Sequence, residues 1–132
     1  RVLDLGSSPG GWTWVLAQLG CEVISVDKAP LAENVANLPG VKFVEESAFA
    51  LSPENTGRLD WLFSDVICYP ERLLALVKKW QQSGKVGNFV CTLKFQGPTN
   101  FDVIKEFLAL GFYARHLYNN KHELTVTKFG TP

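Results

Sequence analysis

The sequence has 132 residues, of which 46% are apolar and 20% are charged. This composition is typical of a globular domain and excludes a disordered, collagenous or coiled-coil chain. Thirteen basic and thirteen acidic residues give a formal charge of zero, so the field of the whole molecule provides no long-range attraction for a polyanion. The longest uncharged stretch, residues 5–21, is interrupted by glycine, serine and proline, which argues against a membrane span.

The cysteine content and the start of the chain set two further expectations. Cys21, Cys68 and Cys91 are odd in number and have no CxxC spacing, so neither a disulfide framework nor a metal site is expected. A reducing, cytoplasmic location fits these cysteines best. The sequence contains no Met and opens at Arg1 directly on an apolar run. We therefore expect a single catalytic domain over residues 1–132 that lacks an N-terminal helix or domain.

Strand-like and helical patterns alternate along the chain. Short apolar runs predict strands, and apolar residues at helical spacing predict helices. The predicted strands are 1–5, 21–26, 41–44, 61–63, 88–93, 112–118 and 123–129, and the predicted helices are 12–19, 69–82 and 101–110. The last two strands flank residues 119–122, whose composition indicates a turn. The alternation predicts an α/β fold with a mostly parallel seven-stranded sheet and a C-terminal antiparallel hairpin.

The loop after the first predicted strand has the composition of a ligand-binding turn. Residues 4–12 read DLGSSPGGW and open the first helix, where glycines allow a ligand to approach the backbone amides. The GxGxxG pattern of a dinucleotide site is absent. Asp27, at the end of the second strand, could accept hydrogen bonds from a ribose diol. The two features indicate a nucleoside cofactor without a pyrophosphate, and the alternative is a tight turn with a strand-capping Asp. Trp14 is expected in the core.

These motifs resemble a known family. DLGSSPGGWTWVL resembles the S-adenosylmethionine loop of the FtsJ-type RNA ribose 2′-O-methyltransferases, and the resemblance continues through SVDKAP, SDV, LKFQG and HELTV over nearly the whole chain. Within the family, SVDKAP and CTLK resemble the RlmM group, which acts on large-subunit ribosomal RNA. The resemblance implies a Rossmann-like fold and methyl transfer from S-adenosyl-L-methionine to a ribose 2′-hydroxyl of RNA, most simply ribosomal RNA, by a monomer.

The resemblance also implies a set of site residues. Of the family's Lys-Asp-Lys-Glu catalytic set, three members correspond to Asp65, Lys94 and Glu123, and the first lysine would lie upstream of Arg1. Adenine recognition stays open, because Ser47 stands where many relatives have an acidic residue. The residues implied in cofactor binding are Gly6, Ser8, Pro9, Gly10, Gly11, Trp12, Asp27, Ser47 and Asp65.

The expected chemistry centres on Lys94. A ribose hydroxyl is a weak nucleophile until its proton is removed or strongly hydrogen-bonded. Asp65 and Glu123 nearby would favour the ammonium form of Lys94, which disfavours a simple general base. We therefore expect Lys94 to orient the hydroxyl and to stabilise the developing alkoxide charge.

Two other function classes fit parts of the sequence. Cys68 or Cys91 could serve as the thiolate of an RNA cytosine C5 methyltransferase, but that motif needs a proline where this chain has Ile67, and it leaves Lys94 and Glu123 unexplained. The fold could also be a non-catalytic cofactor- or RNA-binding module. Its basic residues are scattered rather than clustered, so we expect an additional N-terminal region to assist RNA recognition.

Overall fold

Strands and helices alternate along the chain, as the sequence pattern predicts. The computed structural model describes residues 1–118 and 120–130. The strands are β1 (Val2–Leu5), β2 (Val23–Asp27), β3 (Val41–Glu45), β4 (Leu59–Ser64), β5 (Val86–Lys94), β6 (Tyr113–Arg115) and β7 (Glu123–Lys128). The helices are α1 (Gly11–Gln18), α2 (Glu33–Ala36), α3 (Pro70–Gln82) and α4 (Phe101–Ala109), and a 3₁₀ turn forms at Pro53–Asn55.

All seven strands form one sheet in the order β3-β2-β1-β4-β5-β7-β6. The first five strands pair in parallel, whereas β7 runs antiparallel to both β5 and β6. This topology confirms the predicted mostly parallel sheet with a C-terminal antiparallel pair. The strand order reverses between β1 and β4, and ligands of open α/β sheets bind in the crevice at the carboxyl ends of the strands beside such a reversal.

The main core lies between the sheet and helices α3 and α4. Trp80 of α3 and Phe107 of α4 are completely buried, and the Phe107 ring packs edge-on against Phe112 with centroids 5.4 Å apart. Asn100 caps α4, because its side-chain oxygen accepts a hydrogen bond from the Val103 amide at 3.1 Å. The aromatic contact packs the end of α4 against the sheet, and the cap orders the first turn of the helix.

Helix α1 departs from its predicted packing. The prediction that Trp14 is a core residue is wrong, since this side chain is 46% exposed. The helix instead buries Thr13 and Leu16, because the Thr13 hydroxyl donates a hydrogen bond to the buried Asp4 of β1 at 2.6 Å. Trp12, which is 37% exposed, faces a separate apolar hollow.

Several element boundaries also differ from the prediction. The short α2 and the 3₁₀ turn were not predicted, because segments of three or four residues are too short to show a helical period. Strand β6 has three residues instead of the predicted 112–118. The predicted turn 119–122 includes Asn119, which lies outside the described residues. Within residues 1–118 and 120–130, no helix is long and apolar enough to cross a membrane.

Candidate active site

A cavity of about 460 Å³ opens at the carboxyl edge of the sheet, beside the reversal of strand order. Residues at or just after the carboxyl ends of β1 to β5 contribute to it, together with Arg72 in the first turn of α3. The lining residues are Gly6, Ser8, Asp27, Lys28, Ser47, Ala48, Phe49, Asp65, Val66, Ile67, Arg72 and Lys94. The cavity therefore occupies the crevice in which ligands of doubly wound sheets bind.

The loop after β1 is held close to the end of β4. Gly6 has a φ of 72°, and a Cβ at this position would lie 2.5 Å from Cγ1 of Val66. A side chain would therefore force β1 and β4 apart at the cavity wall. The neighbouring Ser7 hydroxyl is buried without a hydrogen-bond partner, so the loop keeps unused hydrogen-bonding capacity near the cavity.

Asp27 lies at one end of the cavity with both carboxylate oxygens held by backbone amides. Oδ2 accepts a hydrogen bond from the Ser8 amide at 2.9 Å, and Oδ1 accepts one from the Ala29 amide at 3.0 Å. Each carboxylate oxygen can accept more than one hydrogen bond. Asp27 is therefore fixed in orientation and can still accept two hydroxyl donors from a ribose diol.

Asp65 and Lys94 meet at the other end of the cavity. The Lys94 Nζ lies 3.2 Å from Oδ1 of Asp65 and donates a hydrogen bond to the Asp65 carbonyl oxygen at 3.0 Å. Asp65 follows β4 and Lys94 ends β5, and these strands are parallel neighbours. The pairing of the strands thus brings an ammonium group and a carboxylate together beside the cavity.

Glu123 lies on β7, the strand next to the one that carries Lys94. It is directly opposite Lys94 in the antiparallel register of β5 and β7, so the two side chains project from the same face. The Glu123 carboxylate accepts a hydrogen bond from the Asn120 side chain at 3.2 Å. Asn120 is buried, and its own oxygen accepts hydrogen bonds from the Leu117 amide and the Thr125 hydroxyl. Asn120 therefore holds Glu123 near the site.

A fourth carboxyl group, that of Asp4, lies behind the cavity. Asp4 of β1 is 1% exposed, and its burial raises its pKa to about 6, with the charges of Asp65 and Asp27 contributing in the same direction. The Thr13 hydroxyl that binds Asp4 also lies 2.9 Å from the hydroxyl of Ser25. This buried network joins α1 to β1 and β2, two of the strands whose ends form the site.

The predicted site residues fall into three groups, and Glu123 stands apart because it does not line the main cavity. Gly6, Ser8, Asp27, Ser47, Asp65 and Lys94 all line the main cavity. The other glycine-loop residues lie elsewhere, because Pro9, Gly10 and Gly11 line a separate hollow beside α2 and Trp12 lines the apolar one. A Cβ on Gly10 would lie 2.9 Å from Cγ1 of Val35, so this glycine allows the loop to pack against α2.

Sequence reasoning did not assign six of the lining residues, among them three with charged or aromatic side chains. Lys28, Phe49 and Arg72 border the main cavity, and the guanidinium carbon of Arg72 lies 3.7 Å from the centre of the Phe49 ring. A guanidinium over an aromatic face is a favourable cation–π contact. Phe49 and Arg72 are 23 positions apart, so this contact is created by the fold and has no signal in local sequence.

The cysteines are poorly suited to nucleophilic attack. Cys91 is completely buried in β5, and burial raises the pKa of its thiol to about 12. Partial burial also raises the pKa of Cys68. A thiol with a raised pKa stays protonated near neutral pH, which disfavours the cytosine C5 alternative. Among the described residues, no group of three His, Cys, Asp or Glu side chains is arranged to hold a metal ion.

Comparison with known sequences identifies the family. A family profile described as FtsJ-like methyltransferase matches residues 1–125. The chain belongs to the FtsJ-like methyltransferase family. Among curated FtsJ-like relatives, ribosomal RNA large subunit methyltransferase M of Alkalilimnicola ehrlichii is 36% identical over 133 residues, and the protein of the same name from Halorhodospira halophila is 31% identical over 132. The matches cover 95% and 96% of this chain, but only 36% and 38% of those relatives' lengths.

Solved structures support the same fold assignment. An rRNA methylase from Streptococcus thermophilus superposes on the FtsJ-like chain with a TM-score of 0.62 at 15% identity, covering 96% of this chain and 83% of its own. The 1,6-didemethyltoxoflavin-N1-methyltransferase of Burkholderia thailandensis, solved with S-adenosylhomocysteine, gives 0.67 at 19% identity, covering 99% and 71%. The fold is therefore the Rossmann-like methyltransferase fold, as predicted.

Proposed function

We propose that the chain is the catalytic domain of an enzyme that transfers a methyl group from S-adenosyl-L-methionine to a ribose 2′-hydroxyl of RNA, most simply of large-subunit ribosomal RNA. The observation that carries this proposal is the cavity with Asp27 at one end and the Asp65–Lys94 pair at the other. Membership of the FtsJ-like family and the names of the curated relatives support the reaction and the RNA class.

The cavity fits the proposed cofactor. Asp27 is oriented to accept hydrogen bonds from a ribose diol, and Gly6 lines the cavity at the end of β1 without a side chain. Ser8, Ser47 and Asp65 would contribute further polar groups to cofactor binding. When bound, S-adenosyl-L-methionine supplies an electrophilic methyl group on a sulfonium centre.

Lys94 and Asp65 then act on the RNA hydroxyl. The Asp65 carboxylate and carbonyl orient the Lys94 ammonium group, which would position the 2′-oxygen for attack and stabilise the charge that develops on it. The Asp65 carboxylate accepts the proton that the hydroxyl loses. Glu123 lies opposite Lys94 in the register and completes the polar surroundings of the reacting oxygen.

The finer assignments belong to the same proposal. The enzyme acts as a cytoplasmic monomer, and residues beyond these 132 assist RNA recognition and supply the family's first catalytic lysine. The support is that the curated relatives are much longer, since the match covers 36% of the first of them. The zero formal charge of the chain also gives RNA little general attraction.

Two measurements test the proposal. Calorimetric titration with S-adenosyl-L-methionine is expected to show one site, and absence of binding would remove the basis for a methyltransferase. Radiolabelled cofactor and unmodified large-subunit ribosomal RNA are then incubated with the enzyme, and the RNA is digested to nucleosides. The label is expected in 2′-O-methylnucleosides, and label in a methylated base would overturn the ribose assignment.

Lys94→Ala provides the residue-level test. We expect it to abolish methyl transfer and to leave cofactor affinity within a few-fold, because Lys94 is assigned to the hydroxyl. The matched control is Lys105→Ala, an exposed lysine on α4, which should retain parental activity. Parental turnover in the Lys94 variant would reject its catalytic role.

A further inference from the structure

A second cavity adjoins the active-site cavity on the side of α3. Its volume is about 250 Å³, and it shares Ile67 and Arg72 with the main cavity. Cys68, Tyr69 and Gln96 complete its lining. These five residues include one cation, one aromatic ring and one amide, and none of them is acidic. The second cavity therefore offers a positive, partly apolar surface directly beside the proposed site of reaction.

The apolar side chains of this cavity are unusually exposed. Ile67 is 79% exposed and Tyr69 is 68% exposed. Tyr69 precedes α3, but its side chain makes no capping hydrogen bond to the helix. The ring is therefore not required to satisfy the backbone of α3. An exposed ring at the mouth of a cavity is available to stack against a ligand.

The segments that follow Asp65 and Lys94, the proposed catalytic pair, also border the second cavity. Ile67 follows Asp65 by two residues, and Gln96 follows Lys94 by two residues. The Gln96 amide donates a long hydrogen bond to the Cys68 carbonyl at 3.5 Å, which links the two segments. A substrate strand that presents a ribose to Lys94 must therefore place an adjoining group close to this cavity.

We propose that the second cavity binds the nucleotide next to the methylated ribose, with its base against the Tyr69 ring and its phosphate beside Arg72. The inference rests on the proposed function. Unstacked RNA bases commonly stack on exposed aromatic rings, and a guanidinium pairs well with phosphate. Because the chain has no net charge, its own share of the RNA affinity must come from local contacts of this kind. A positive cavity beside a ribose-modifying centre favours a nucleotide over a peptide.

The test compares RNA binding by the parent chain, Tyr69→Ala and Tyr69→Phe. Fluorescence anisotropy measures the Kd for a fluorescein-labelled single-stranded oligoribonucleotide in the presence of saturating S-adenosylhomocysteine. Loss of base stacking should weaken binding by Tyr69→Ala roughly 5- to 150-fold, whereas Tyr69→Phe keeps the ring and should bind like the parent. Tyr113→Ala is the matched control, because Tyr113 is 63% exposed on β6 and lies outside both cavities.

Separate readouts distinguish this inference from the proposed function. Urea unfolding and calorimetric cofactor affinity should be unchanged in Tyr69→Ala, since a merely structural role would alter the first and a cofactor role the second. An RNA Kd for Tyr69→Ala within about twofold of the parent's, or no RNA binding by the parent, would overturn the nucleotide site. Failure of the parent to bind cofactor would instead overturn the proposed function.

Arg72→Gln provides a second test of the phosphate contact. Removing one phosphate contact should reduce the slope of log K against log salt by roughly 0.7 for single-stranded RNA. A salt dependence equal to that of the parent would overturn the assignment of Arg72 to phosphate.

Discussion

Replacing Asp4 by Asn removes a carboxyl group that burial keeps difficult to ionise. Asp4 is 1% exposed, and its pKa rises from an ordinary value of 3.8 to about 6 in the folded chain. Between these two values the folded state holds a proton that the unfolded state releases. The free energy of unfolding therefore falls as the pH rises through this interval, and it stays lower above it.

The size of this effect follows from the change in pKa. A rise from 3.8 to about 6 corresponds to roughly 3 kcal/mol of stability that is present at low pH and absent above the folded-state pKa. Asn resembles the protonated acid in shape and keeps an oxygen that can accept the Thr13 hydrogen bond. Asp4→Asn should therefore match the parent near about pH 4 and exceed its stability by up to roughly 3 kcal/mol near about pH 8.

Urea unfolding, followed by tryptophan fluorescence at a series of pH values, measures this difference. Subtracting the parent curve from the variant curve cancels the titration of groups that do not interact with Asp4. Asp102→Asn is the matched control, because Asp102 is exposed in the first turn of α4 and should give no comparable gain with pH. The reasoning would be refuted if the stability difference between Asp4→Asn and the parent were the same at the lowest and the highest pH.

Three further outcomes are expected. Asp27→Ala should weaken S-adenosyl-L-methionine binding by about 1–3 kcal/mol in calorimetry, the range for losing hydrogen bonds to a charged acceptor, and unchanged affinity would remove Asp27 from the site. Cys68→Ala should keep methyl-transfer turnover within about twofold, whereas an inactive variant would revive the cytosine alternative. Phe107→Ala should reduce the free energy of unfolding by about 3–5 kcal/mol. Phe101→Ala on the same helix should change it little, because that ring is 67% exposed. Equal losses of the two variants in urea unfolding would contradict the assigned packing.

The sheet could be predicted from the sequence because its determinants are local. Short apolar runs that alternate with segments of helical spacing indicate the α/β class. Parallel strands then place their carboxyl ends at one edge of the sheet. For this reason the proximity of Asp65 and Lys94 could be expected from two short motifs. Their separation of 3.2 Å agrees with that expectation, whereas their catalytic roles stay a prediction.

Other parts of the site depend on contacts between distant segments. Asn120 looks like an ordinary turn residue in the sequence, but in the fold it holds Glu123 through a hydrogen bond. The Arg72–Phe49 contact joins α3 to the segment after β3. The exposure of Trp14 has a related cause. The Thr13 hydroxyl binds Asp4 of β1, so the side of α1 that carries Thr13 faces the sheet. Helical spacing in the sequence cannot reveal this contact.

The antiparallel register of β5 and β7 makes the position of Glu123 sensitive to the number of residues in β7. Lys94 and Glu123 face each other because Val126 is paired with Cys91 further along the same two strands. Inserting one residue into β7 between Glu123 and Val126 would turn the glutamate to the opposite face if the buried Val126 kept its place. An insertion between β6 and β7 leaves that alternation intact. Changes of length in the connection before β7 therefore keep the side of the sheet on which Glu123 lies, whereas within the strand only steps of two residues preserve it.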